Sequence, residues 1–102
     1  MARLWNTTGS NTTSLTIQFD RGRQNWTAPE AQVDGLGVYY SLDGSTWVNI
    51  PALNGSATNN PYSASVAAAW PNNTPAYILW VDDAGTEATA PSYTLDNVSF
   101  TA

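Results

Sequence analysis

SLTIQF, residues 14–19, decides the fold class. In an extended chain Leu15, Ile17 and Phe19 fall on one side and Ser14, Thr16 and Gln18 on the other. That period of two belongs to a strand with one face in a core and the other in water. The alternation returns in GLGVYYSL (35–42), where Leu36, Val38 and Tyr40 share a face. It returns again in TWVNI (46–50), where Trp47 and Asn49 lie opposite Val48 and Ile50. Leu42-Asp43-Gly44-Ser45 joins these two segments, and because Asp and Gly both tolerate positive φ the dipeptide predicts a hairpin.

Further along, YSASVAAAW (62–70) carries alanines that suit a helix by propensity, but Pro71 ends it too early for a stable lone helix. Tyr62, Ala64, Val66 and Ala68 alternate with Ser63, Ser65 and Ala67, which predicts a strand. AYILWVDD (76–83) is the most apolar run and predicts a central strand. SYTLDNVSFTA (92–102) predicts a last strand with Tyr93, Leu95, Val98 and Phe100 inward. The parity changes between Leu95 and Val98, so a bulge or bend is expected at Asp96-Asn97. No segment keeps a helical period for three turns. The expected fold class is all-β, an antiparallel β-sandwich of jelly-roll type, with about six to eight strands and no substantial helix. The 102 residues make a single module.

Composition narrows the function. The chain has three arginines, no lysine and eight acids, for a net charge of -5. A nucleic-acid binder draws its affinity from cations that displace counterions, so neither nucleic acid nor an anionic membrane is an expected partner. Without cysteine there is no thiolate chemistry, and without histidine, cysteine or lysine there is no ready base for a nucleophile. Asp82 and Asp83 would point to opposite faces of a strand, which rules that pair out as the two carboxyls of a glycosidase. No enzymatic activity is expected. No run approaches the ~20 apolar residues of a membrane span, and MARLWNTTGS lacks the apolar centre of a signal peptide. N-x-S/T triplets begin at Asn6, Asn11, Asn25, Asn54, Asn72 and Asn97, and a chain this rich in Asn, Thr and Ser produces them by chance.

Three stretches, WNTTGSNTTSLTIQFD (5–20), VYYSLDGSTWVNIPAL (38–53) and ILWVDDAGTEATAPSYTLDNVSF (78–100), together resemble a jelly-roll module of exported bacterial proteins. Such modules occur in secreted nucleases, phosphatases and surface-anchored proteins, usually outside the catalytic domain. The resemblance implies a secreted or cell-surface location and a larger parent protein. Two departures stand out: the family usually has further strands before the first motif, and its region after the first strand is often longer. LDNVSF is also similar to the last strand of jelly-roll carbohydrate-binding modules, whose aspartate there commonly helps to hold a structural calcium. That implies Asp96 as a ligand, with Asn97 beside it.

The acids also admit a reading of their own. Asp82, Asp83, Glu87 and Asp96 lie close in sequence, and a hard cation such as calcium can draw on such carboxylates; solvated turn acids are the plainer alternative. Five tryptophans exceed what a core of this size needs. Trp80 is expected in the core and Trp5 is left open. Trp47 is expected to look outward through its parity with Asn49, although one register slip reverses that. Trp26 and Trp70 sit in loop-like surroundings. With Tyr39, Arg21 and Arg23 they can line an aromatic cleft for a glycan, the arginines clamping a uronate, or they simply plug the ends of the sandwich.

The expected function is that of a non-catalytic extracellular carbohydrate-binding module, anchoring a larger protein to polysaccharide by aromatic stacking. The alternative is a structural subunit of a filament or surface layer that assembles through its sheet edges, which lack the lysines that normally protect them.

Overall fold

The computed structural model describes residues 1–24, 36–55, 58–82 and 92–102, with backbone only at 23, 24, 82 and 92. The described residues form an antiparallel β-sandwich of seven strands: β1 (Ala2–Trp5), β2 (Thr12–Gln24), β3 (Leu36–Ser41), β4 (Val48–Asn49), β5 (Tyr62–Trp70), β6 (Pro75–Asp82) and β7 (Ser92–Thr101). The only helical element among them is a single 3-10 turn, Pro51–Leu53. One sheet has the order β1-β6-β3-β4 and the other β5-β2-β7. Only β3 and β4 are consecutive strands that also pair. Every other connection crosses between the sheets, so neither layer can form without the other.

The alternation in β2 holds as read: Leu15, Ile17 and Phe19 have no exposed surface, while Ser14 and Gln18 face water. They meet Leu36 and Val38 of β3, Ile78 and Ala76 of β6, Trp70 of β5, and Ile50 and Leu53 beside the 3-10 turn. Burying each large aliphatic or aromatic side chain stabilises the sandwich by roughly 1.5–3 kcal/mol. The alanine-rich stretch is strand β5, paired with β2 from Phe19↔Tyr62 to Thr12↔Trp70, and β6 is central, with β1 on one side and β3 on the other.

The expected bulge is also present. Pairing of β2 with β7 runs Gln18↔Ser99 and then Asp20↔Asp96, so β7 carries one extra residue, and Asn97 takes a left-handed φ of 51° to accommodate it. Two inward assignments on this strand are corrected: Leu95 is 38% exposed and Val98 41%. As the outermost strand of its sheet, β7 has a neighbour on one side only; Tyr93 and Phe100 pack against the core as expected, Phe100 reaching Trp80. Val48, expected inside with Ile50, is likewise exposed at the two-residue outermost strand β4, whereas Ile50 is buried.

The Asp-Gly turn is wider than the dipeptide suggests. Pairing resumes only at Tyr40↔Val48, because the loop is built around polar side chains. Asp43 Oδ1 accepts from the backbone N–H of Ser45 and of Thr46, each at 2.7 Å, and from Ser41 Oγ at 2.9 Å. Ser41 Oγ in turn accepts from Gly44 N at 2.8 Å, and Gly44 has a φ of 78° that a side chain would resist.

At the other end of the sandwich Asn6 is 1% exposed and ties three segments together. Its Nδ2 donates to Ser10 O at 3.0 Å and to Trp70 O at 2.9 Å, and its Oδ1 accepts from Thr8 N and Thr8 Oγ1. Its backbone pairs with Thr74 O and Asn73 N in the turn between β5 and β6. Replacing Asn6 with Ala removes the amide that joins Ser10 O to Trp70 O, which keep the Thr8 and Thr12 hydroxyls as donors, and the expected cost is about 1–3 kcal/mol. The denaturant midpoint of Asn6→Ala should fall accordingly, while Ser63→Ala on the wet side of β5 should stay within about 0.5 kcal/mol of the parent.

Candidate functional site

The two sheets present different solvent faces. On the three-stranded sheet the outward positions include Ser14, Thr16, Gln18 and Asp20 of β2, Ser63, Ser65, Ala67 and Ala69 of β5, and Thr94, Asp96, Ser99 and Thr101 of β7. These side chains are small, short or flexible, and offer no ring.

The outward face of the four-stranded sheet is aromatic. Register alone assembles it: Arg3 and Trp5 alternate outward on β1, opposite Tyr77 and Pro75 of β6, and Tyr39 of β3 stands between Leu79 and Asn49. Trp5 is 48% exposed, with the Arg3 guanidinium 5.5 Å from its ring centre. Tyr39 lies back over Gly37, where a Cβ would stand 3.2 Å from its Cε2. Trp47 shares this side with Asn49, as parity predicts, and leans edge-on against Tyr77 at 6.5 Å. It is half-buried, a ring braced by its neighbour. With strands ~4.8 Å apart and ~3.4 Å of rise per residue, Trp5 and Tyr39 stand roughly 17 Å apart across the face, with Tyr77 between them. That length accommodates several sugar rings.

Beside Trp5 a groove of about 460 Å³ runs around the edge of β1, lined by Trp5, Asn6, Thr7, Thr8, Phe100 and Thr101 among others. Hydroxyls and an apolar wall there stand next to the exposed indole. The Arg3 guanidinium lines the same groove.

The expected cleft does not assemble from the residues that can be placed. Trp70 is not in a loop: it ends β5, is 4% exposed, and its Nε1 donates to Thr74 O at 2.9 Å. Arg21 continues the inward face of β2 after Phe19 and is 1% exposed. Its backbone N and O bond Asn60 Oδ1 and Nδ2, and its Nη2 donates to Leu53 O at 3.2 Å. Burial lowers the Arg21 pKa from its ordinary value, against an opposing pull from Tyr62 and Tyr93, yet a guanidinium stays charged. Tyr39, on the outer face, is therefore separated from both residues by the thickness of a sheet. Trp26 and the Arg23 side chain lie outside the described residues. Trp80 is half-buried between Phe19 and Phe100, at 6.1 and 6.3 Å.

Of the expected metal ligands, Asp96 stands directly across from Asp20, and Asn97 Nδ2 donates to Asp20 Oδ2 at 2.7 Å. Two carboxylates and an amide supply part of the six to eight oxygens calcium takes. Among the described residues no group of three or more acidic or other metal-binding side chains gathers. Asp83 and the side chain of Asp82 lie outside the described residues.

Trp5, Tyr77 and Asp20 were not singled out by sequence. The first two require the β1–β6 register and the third the β2–β7 register, neither of which local pattern supplies. Compared with protein-family models, with curated proteins and with solved structures, the chain matches none of them.

The loop that carries Trp47 depends on an ionised Asp43. Backbone N–H of Thr46 first, then of Ser45, and the Ser41 hydroxyl hold its pKa at about 2, below the ordinary 3.8. A depressed folded pKa means that the stabilisation is fully present above 3.8 and is lost as the pH falls through about 2. An NMR titration of the Asp43 carboxyl should show that midpoint, and in Asp43→Asn the Trp47 indole signal should lose its acid transition over the same window.

Proposed function

We propose that this chain is a non-catalytic carbohydrate-binding module, and that the outer face of the β1-β6-β3-β4 sheet is its binding platform. One observation supports this reading most. Aromatic rings crowd the solvent side of one sheet, at Trp5, Tyr77, Tyr39 and Trp47, while the other sheet's solvent side carries serine, threonine, alanine, glutamine and aspartate, and no ring among the described residues. Stability alone gives no reason to place indoles and phenols in water on one layer only. A ring face can stack on the apolar face of a pyranose, and Thr7, which lines the groove beside Trp5, can take a hydroxyl. In a larger exported protein the module would hold its parent to polysaccharide.

Affinity electrophoresis through gels that contain cellulose derivatives, xylan, mannan or β-glucan tests the platform. The parent chain should be retarded by at least one of them. Trp5→Ala and Tyr77→Ala should each weaken retention about tenfold or more, as for a hot-spot ring, with unfolding midpoints little changed. Full retention in the double variant removes the platform.

A second reading, assembly through a sheet edge, has its own support in β5. Its side away from β2 is an edge nine residues long, Tyr62–Trp70, with no charge and no proline in it. Such an edge can accept another chain's strand. Ser65→Lys should then dissolve any concentration-dependent oligomer seen by size-exclusion chromatography, and an unchanged monomer peak for the parent at high concentration would dispose of this reading.

A further inference from the structure

Arg3 is the one exposed cationic side chain among the described residues, since Arg21 is buried between the sheets. It stands outward on β1 two positions before Trp5, and its guanidinium carbon sits 5.5 Å from the centre of the indole, which attracts the charge. Among the described residues the ring is its sole partner, with no ion pair and no side-chain hydrogen bond. A guanidinium so placed keeps its in-plane N–H donors free for an acceptor from outside, and it stays charged at every working pH.

The groove of about 460 Å³ opens beside this pair. Arg3, Trp5 and Thr7 line it from β1 and the turn after it, and Phe100 and Thr101 line it from β7, so it lies between the outermost strands of the two sheets. The Thr7 and Thr101 hydroxyls have no hydrogen-bond partner among the described residues, and Phe100 supplies an apolar wall. No acidic side chain lines the groove among those residues. Asp20, with Asp96 across from it, lies four positions along β2 from Thr16, the partner of Thr101, and so roughly 14 Å from that level. Asp43 is engaged by Ser41, Ser45 and Thr46 in its own loop.

We propose that this groove is where the platform takes an acidic glycan, a pyranose stacking on Trp5 with its uronate carboxylate on the Arg3 guanidinium and its hydroxyls on Thr7 and Thr101. The inference rests on the platform reading and adds the class of ligand to it. A carboxylate meets a guanidinium fork with two parallel hydrogen bonds, and in a uronate it is attached directly to a ring carbon, so a stacked ring carries it at its own edge. The net charge of -5 opposes a polyanion at long range. Salt at ~0.15 M screens exposed charges beyond about 8 Å, so the local pair decides.

Titration calorimetry of the full chain at ~0.15 M salt compares short oligomers of galacturonate, glucuronate and mannuronate with their methyl esters, which keep the ring and lose the charge. At least one acid should bind about tenfold or more tighter than its ester, and Arg3→Gln should bring that acid down to the level of the ester. Trp5→Ala should weaken acid and ester alike. Acids that bind no better than their esters, or a preference that survives Arg3→Gln, overturn this inference; the platform still stands where Trp5→Ala weakens binding of a neutral glycan. Dextran sulfate is the last arm: Arg3-dependent binding to it, with no uronate preferred over its ester, assigns the cation to a sulfate ester and overturns the carboxylate.

Discussion

The inward side of β2 is the surface on which the rest of this molecule is assembled. Its strand pairs with β5 on one side and β7 on the other, and its alternate residues Leu15, Ile17, Phe19 and Arg21 project into the space between the layers. The four-stranded sheet has to close over that row. Since nearly every chain connection passes from one layer to the other, closing the row and setting the strand order are the same event. The first three members of the row are apolar and draw the sheets together; the fourth carries a charge, which the fold surrounds with Tyr62, Phe19 and the Leu53 carbonyl.

That closure explains why the opposite face of the four-stranded sheet is free to be specialised. Ile78, Val38 and Leu36 already turn inward from β6 and β3, so Tyr77, Leu79 and Tyr39 between them must turn outward whatever they are. The tyrosines at those positions are half-buried against neighbours on the face, Tyr77 against Trp47 and Tyr39 over Gly37, and with Trp5 they make up the platform proposed for a glycan. The polar, ring-free exterior of the other layer gives the module two sides of different chemistry.

Period-two alternation was enough to read the all-β class, the inward rows of β2 and β5 and the bulge near Asn97, and the unbroken apolar run of 76–83 was enough to read the central place of β6. It failed where a strand lies at the rim: Leu95, Val98 and Val48 alternate correctly but lack a facing layer, which no local pattern reports. The proposed binding surface was legible only in part. Trp47 could be turned outward by its parity with Asn49, but its support, Tyr77, lies 30 positions away and becomes a neighbour only through the β3–β6 and β3–β4 pairings. Trp70 and Arg21 looked like loop or surface residues because each stands next to turn-forming sequence, although the first closes one end of the core and the second lies within it.

Asn6 was the least legible residue of all, one asparagine among many, whose carbonyl partner at Trp70 stands 64 positions downstream. Its amide nitrogen spans the junction of the first strand with the β5–β6 turn, and that same nitrogen heads an Asn-Thr-Thr acceptor triplet. In a yeast or mammalian secretory pathway, oligosaccharide transferred to the nascent chain at this atom would replace one of its two N–H donors and add a bulky group to a side chain that is 1% exposed, before the sandwich could close. Production of the folded domain therefore favours a host that leaves asparagine bare.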